Sequence, residues 1–160
     1  MSNRGRKSHL LLAILLLTFV GSSFAKEIND FYSRHKNDIG MEAKIVPPKM
    51  ASMFVDEDYP EAIDILKSLN SLKYLNFWGD QKSIQKYAVE ARAHSGAHES
   101  LLEVDDKVRK VHVFGTKKRG KVKKIMAVVE SKSQFLLIIA KGKLSQNQIA
   151  HIPTLAKEIQ

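Results

Sequence analysis

Apolar residues change their spacing along this chain, and each change of period marks a new element. Ile28, Phe31, Tyr32 and His35 recur at helical spacing and Gly40 follows as a stop, so residues 27–37 predict an amphipathic helix. Met41, Ala43 and Ile45 then alternate, which predicts a short strand ended by Pro47-Pro48, and a helical turn carrying Met50, Met53 and Phe54 follows. Acidic residues before Pro60 and Glu61 mark the next helix start, with Ile63, Leu66 and Leu69 as its expected buried stripe. Leu72 to Phe77 reads as a strand. Asp80 is placed to cap a longer helix whose Ile84, Tyr87, Ala88 and Ala91 share a face, and that helix should fray near Gly96.

From Leu101 onward the period becomes strand-like. Val108 to Thr116 and Lys121 to Glu130 alternate, while Phe135 to Ala140 is apolar at every position, as expected of a strand covered on both faces. Ser145 and Gln148 form a capping box, Leu144 and Ile149 form its hydrophobic staple, and Pro153 should break or kink the closing helix. This order predicts a single α+β domain: helices on a mainly antiparallel sheet, with a C-terminal three-strand meander and a closing helix.

The start of the chain has a different character. Arg4, Arg6 and Lys7 precede the apolar run Leu10 to Val20, and Ser23-Phe24-Ala25 has the small-x-small form of a cleavage site. Eleven residues of helix reach about 16 Å, roughly half of the ~30 Å hydrocarbon core, so residues 1–25 read as a cleaved signal peptide rather than an anchor. Residues 26–160 are then the folded domain, expected in the periplasm or outside the cell. There is no cysteine, which excludes disulfides, thiolate metal sites, cysteine catalysis and lipid attachment at a mature N-terminal Cys.

The whole chain carries 26 Lys and Arg against 17 Asp and Glu; losing the three basic residues of the signal leaves 23 against 17, a balance of +6. For an exported protein, that excess points to lipid headgroups, acidic glycans or acidic protein surfaces, with no nucleic-acid partner expected. Its densest part is the stretch GTKKRGKV from Gly115 to Val122, which matches the first seven positions of a phosphate-binding P-loop. The eighth position is Val122 instead of a hydroxyl, and a β-branched strand rather than a helix follows, so the stretch predicts a hairpin tip with Gly120 in the turn.

Lys117, Lys118, Arg119, Lys121, Lys123 and Lys124 crowd this tip. Such runs are commonly solvated turns that discourage edge-to-edge pairing. The rival reading is a contact for an anionic partner: an envelope protein, or an anionic lipid or glycan, with peripheral membrane contact.

Other clusters carry weaker chemistry. Glu90, His94 and His98 would stack on one face of an unbroken helix and could hold a metal for a hydrolase, but Gly96 interrupts them, so both histidines read as exposed residues at a helix end. Asp56, Glu57, Asp58 and Glu61 lack the alternating ligand loop of a calcium site and read as a solvated helix start. His35 and His112 read as partly buried structural histidines, and Trp78 as core. No nucleophile elbow is present, so no cofactor and no catalytic residue is expected, and a carrier of small apolar ligands is the alternative to a binding module.

The Phe31-Tyr32 helix, a strand ending near Lys49-Met50 with Met53-Phe54 after it, three late strands with a basic hairpin, and the closing Gly142-Lys143-Leu144-Ser145 turn resemble the domain of unknown function 4252 family. The resemblance implies a small exported α+β protein of the kind found chiefly in Bacteroidota, with no established activity and no catalytic residues to carry over. Some members look like lipoproteins; this chain has no cysteine to acylate.

Overall fold

The computed structural model describes residues 23–158 apart from Ala97, so the expected signal segment lies almost wholly outside the described residues. Helix α1 spans Ser23–His35 and leads through the positive-φ Gly40 into strand β1, Met41–Val46. The short helix α2, Pro48–Ala51, and the helix α3, Pro60–Ser68, come next, both with proline in the first turn, where a missing N–H costs nothing. Strand β2, Leu69–Trp78, precedes helix α4, Gln81–Ala93. Strands β3 (Glu99–Asp105), β4 (Arg109–Lys118), β5 (Lys121–Ser131) and β6 (Gln134–Leu144) follow, then helices α5 (Gln146–Ala150) and α6 (Ile152–Glu158).

The six strands form one antiparallel sheet in the order β1-β2-β6-β5-β4-β3. Strands β4, β5 and β6 make the expected meander, and β3 extends it by one strand at the free edge. Strand β6 pairs back onto β2, which puts it at the centre of the molecule. Its side chains alternate between two cores. Leu136, Ile138 and Ala140 pack with Ile65 and Leu66 of α3 and with Ile149, Ile152 and Leu155 of α5 and α6. Phe135 and Leu137 pack on the other face with Phe31 of α1 and Ile84, Ala88 and Ala91 of α4. The continuous apolar run therefore has the cause expected of it, a helical layer on each side.

The helix ends follow from their caps. The Asp80 carboxylate accepts from the Ser83 N–H at 3.0 Å. At Ser145 both halves of the capping box are present: the Gln148 N–H donates to Ser145 Oγ at 3.2 Å, and the Ser145 N–H donates to Gln148 Oε1 at 2.8 Å. Leu144 and Ile149 are fully buried in one cluster, as a staple requires. Pro153 falls in the first turn of α6, so the closing segment is two short helices meeting at His151 rather than one kinked helix.

Several expectations about faces need correction. The buried positions of α3 are Ala62, Ile65 and Leu66, because Leu69 already begins β2 and Ile63 is only half-buried. Trp78 is not core: it occupies the last position of β2 and is 54% exposed, while the neighbouring Phe77 takes the inward place beside Tyr87. Ile45 shares a strand face with Met41 and Ala43 but is 79% exposed on the edge strand. His98 is buried rather than exposed.

Candidate binding surface at the basic end of the sheet

The GTKKRGKV stretch is a hairpin. Lys118 pairs with Lys121, and the two residues between them, Arg119 at φ 53° and Gly120 at φ 73°, both take the left-handed conformation of a type I′ turn, whose twist matches that of the flanking strands. The two glycines of the P-loop-like pattern have separate structural roles. A Cβ on Gly115 would stand 2.6 Å from Leu101 Cδ1 and 2.7 Å from the Lys124 carbonyl oxygen, so Gly115 lets β3 and β5 close around β4. Around Gly120 there is open space, and only its backbone conformation selects glycine. Gly120→Ala is therefore expected to destabilise the domain by about 1–2 kcal/mol with no steric contribution, read as a shift in denaturant midpoint at constant slope.

Where the six basic residues of the hairpin go depends on a bulge. The register of β5 against β6 shifts between Val122 and Lys124, so Val122 and Ile125 both face the α3/α5/α6 core although they are three residues apart. Lys123 and Lys124 occupy the irregular step. Lys118, Arg119 and Lys121 are exposed at the tip, and Lys117 Nζ lies 3.1 Å from Glu99 Oε1 on β3. Lys124 is exposed and stands directly opposite Lys141 of β6. Beyond Lys141 lies Lys73 of β2, whose ammonium sits 4.3 Å from the centre of the Tyr32 ring and donates to Asn29 Oδ1 at 2.8 Å. Burial, then the nearby charges of Lys141 and Lys36, hold the Lys73 ammonium below its ordinary pKa.

The basic surface thus extends past the hairpin onto the sheet. Lys73 and Lys141 were not among the expected contact residues, since neither lies in the charge run. The signal for Lys141 was present in the end of the apolar β6 run, where Lys141-Gly142-Lys143 restores alternation. Lys73 could be placed only once β2 was known to pair with β6.

The residues weighed for metal binding are not brought together. Glu90 Oε1 is held by His35 Nε2 at 3.1 Å and Arg34 Nη1 at 3.2 Å. His94 Nδ1 donates to the Glu90 carbonyl at 2.8 Å, leaving its Nε2 to accept from Arg34 at 2.6 Å. Gly96, at φ 43°, turns the chain out of the helix, and His98 is carried to the Lys124 side of the sheet. Among the described residues, no three His, Asp or Glu side chains are grouped to hold a metal ion.

Glu90 belongs to a polar clamp between α1 and α4. His35 Nδ1 donates to Asp38 Oδ2 at 2.7 Å, and the Tyr87 hydroxyl donates to the same oxygen at 2.9 Å. The His35 hydrogen bond is the main cause holding the Asp38 carboxyl below its ordinary value. Burial pushes Glu90 upward, but the His35 hydrogen bond and the charges of His35, Arg34 and His94 outweigh it and leave that carboxyl lowered too. Burial and the Asp38 carboxylate push the Tyr87 phenol up to about 12. Lowered carboxyls stabilise the fold above their unfolded value and lose that contribution as pH falls through the folded one; the raised phenol stabilises below about pH 10 and loses its contribution as pH rises toward 12. Thermal melts against pH should show both limbs, with Asp38→Asn flattening the acid limb and Tyr87→Phe the alkaline one.

A third feature lies on the opposite face. Val46, Ala51, Phe54, Val55, Leu66, Leu72, Tyr74 and Leu155 line a cleft of about 320 Å³ beside the β1 edge. Of these, Phe54 is 83% exposed. Among the described residues no helix is long and apolar enough to cross a membrane.

No curated protein and no solved structure matches the chain. A family model does: that of Domain of unknown function (DUF4252) matches residues 32–152, from the end of the first helix to the start of the last, and so takes in the whole sheet, the basic hairpin and the capping box. The chain belongs to the DUF4252 family.

Proposed function

We propose that this domain is an exported binding module rather than an enzyme, released by cleavage near Ala25, and that the basic end of its sheet engages an anionic component of the cell envelope. The observation that carries this reading is the cross-strand pair of Lys124 and Lys141. Like charges directly opposite one another destabilise a sheet, and a bound anion removes that repulsion. Exposed Lys118, Arg119 and Lys121 at the tip widen the same positive surface.

In-cell crosslinking of the exported chain, analysed by mass spectrometry, tests the reading when wild type is compared with a variant in which all six hairpin Lys and Arg residues are Gln. One specific envelope partner is expected with wild type and not with the variant. The same partner in both would move the contact away from the hairpin. A second reading, a carrier of small apolar ligands, is favoured by the 320 Å³ cleft, since ligand pockets begin at about this size. Native mass spectra of the purified chain with an adduct lost on Leu72→Trp, which fills the cleft, would support it.

A further inference from the structure

We propose that a pocket between α1 and the Lys124–Lys141 pair is a binding site for a dianionic phosphate group, presented as a phosphomonoester or as free phosphate. This rests on the reading that the basic end of the sheet meets an anion, and it names the anion's chemistry and its seat. The pocket, about 40 Å³, is lined by Ile28 and Asn29 of α1, His98 of the loop after α4, and Lys124, Ile139 and Lys141 of the sheet. It is built rather than incidental: its floor is aliphatic, and its polar groups come from four separated parts of the chain.

Two lysines line it and a third is tied to one of its lining residues, Asn29. Lys124 and Lys141 face each other across the β5–β6 pairing, and Lys73, over the Tyr32 ring, donates to Asn29 Oδ1 at 2.8 Å. Among the described residues neither Lys124 nor Lys141 makes an ion pair, whereas Lys117, Lys44, Lys110, Arg34 and Arg92 all do. The neighbouring groups register the concentrated charge: Lys141 helps to hold Lys73 low, and His98 is held low by burial and then by the Lys124 charge. Two unpaired ammonium groups and a third close by balance a dianion better than a single carboxylate. Lys124 and Lys141 are both exposed, so the rest of a phosphomonoester can stay in solvent while its phosphate meets the pair.

The test uses the mature chain labelled with nitrogen-15 and titrated with inorganic phosphate, then with phosphatidylcholine vesicles carrying phosphatidic acid. Saturable shifts confined to Lys73, His98, Lys124, Ile139 and Lys141 support the proposal. So does their loss, by at least tenfold in affinity, in the double variant Lys124→Gln/Lys141→Gln, provided the variant keeps the wild-type spectrum elsewhere. Tighter binding to the vesicles than to free phosphate by tenfold or more identifies a lipid headgroup as the source; equal affinity identifies free phosphate. Shifts that chloride reproduces at equal ionic strength, or none with either probe, overturn it. Should the tip variant Lys118→Gln/Arg119→Gln/Lys121→Gln lose vesicle binding while the pocket residues stay silent, the pocket fails and the basic-end reading stands. Phosphate shifts in the pocket alongside an unchanged crosslinking partner in the six-residue variant would keep the pocket as a phosphate site and move the envelope contact away from the hairpin.

Discussion

Phe135→Ala is expected to destabilise the domain by about 3–5 kcal/mol, the cost of deleting a buried aromatic ring and leaving part of its volume empty. Phe135 is fully buried at the start of the central strand β6. Its ring lies edge-on to Phe31 of α1 with centroids 6.2 Å apart and stacks on Tyr87 of α4 at 5.6 Å. It thus touches both helices of that face. The neighbouring rings are themselves tethered, Tyr87 by its bond to Asp38 and Phe31 by contacts with His35 and His94, so the cavity has little freedom to collapse. Thermal unfolding should record a fall in Tm of roughly 10–20 °C for a domain of this size. A loss below about 1 kcal/mol would mean that the α1/α4 layer packs more loosely than described.

The second large effect concerns binding and leaves the fold alone. Changing Lys117, Lys118, Arg119, Lys121, Lys123 and Lys124 together to Gln should weaken association with an anionic surface on the order of a thousandfold. Each basic residue near such a surface contributes about 1 kcal/mol, and about 1.4 kcal/mol corresponds to a factor of ten. Lys117 counts for less than the others because Glu99 already neutralises it. Stability should hardly change: five of the six are exposed and Lys123 is half-buried, and removing the charge of Lys124 relieves its repulsion with Lys141. Vesicle binding measured over a salt series separates the two quantities, since a contact made by charge weakens as ionic strength rises.

Much of this architecture was legible because its signals are local. The capping box at Ser145, the cap at Asp80, the prolines opening α2 and α3, and the positive φ of Gly120 each act within a few residues. The unbroken apolar run of β6 announced its two covered faces. Strand β3 is not legible because it is an edge strand, at most half-buried, and a register irregularity between Ser100 and Leu102 destroys the alternation that marks a strand. The exposure of Trp78 was hidden for a related reason: a large aromatic is usually core, and only the end of β2 shows that it lies past the packed positions.

The candidate site was half legible for the opposite reason. A charge run is visible in sequence, but the partners it acquires depend on pairing between distant strands. Lys124 and Lys141 lie on the two arms of the β5–β6 hairpin, and Lys73 belongs to β2, which precedes β5 by a helix and two strands. The position of Gly96 between the histidines predicts that His98 parts from Glu90 and His94, and its positive φ does this; the burial of His98 on the Lys124 side is not legible in the spacing.

Engagement of the envelope by the basic end is tested most simply by sedimentation of the mature chain with a purified envelope fraction from its own cells, at low and at high salt, for wild type and for the six-residue Gln variant. Wild type is expected to sediment at low salt and be released at high salt, while the variant stays in the supernatant throughout. Equal sedimentation of the two proteins, unaffected by salt, would contradict it.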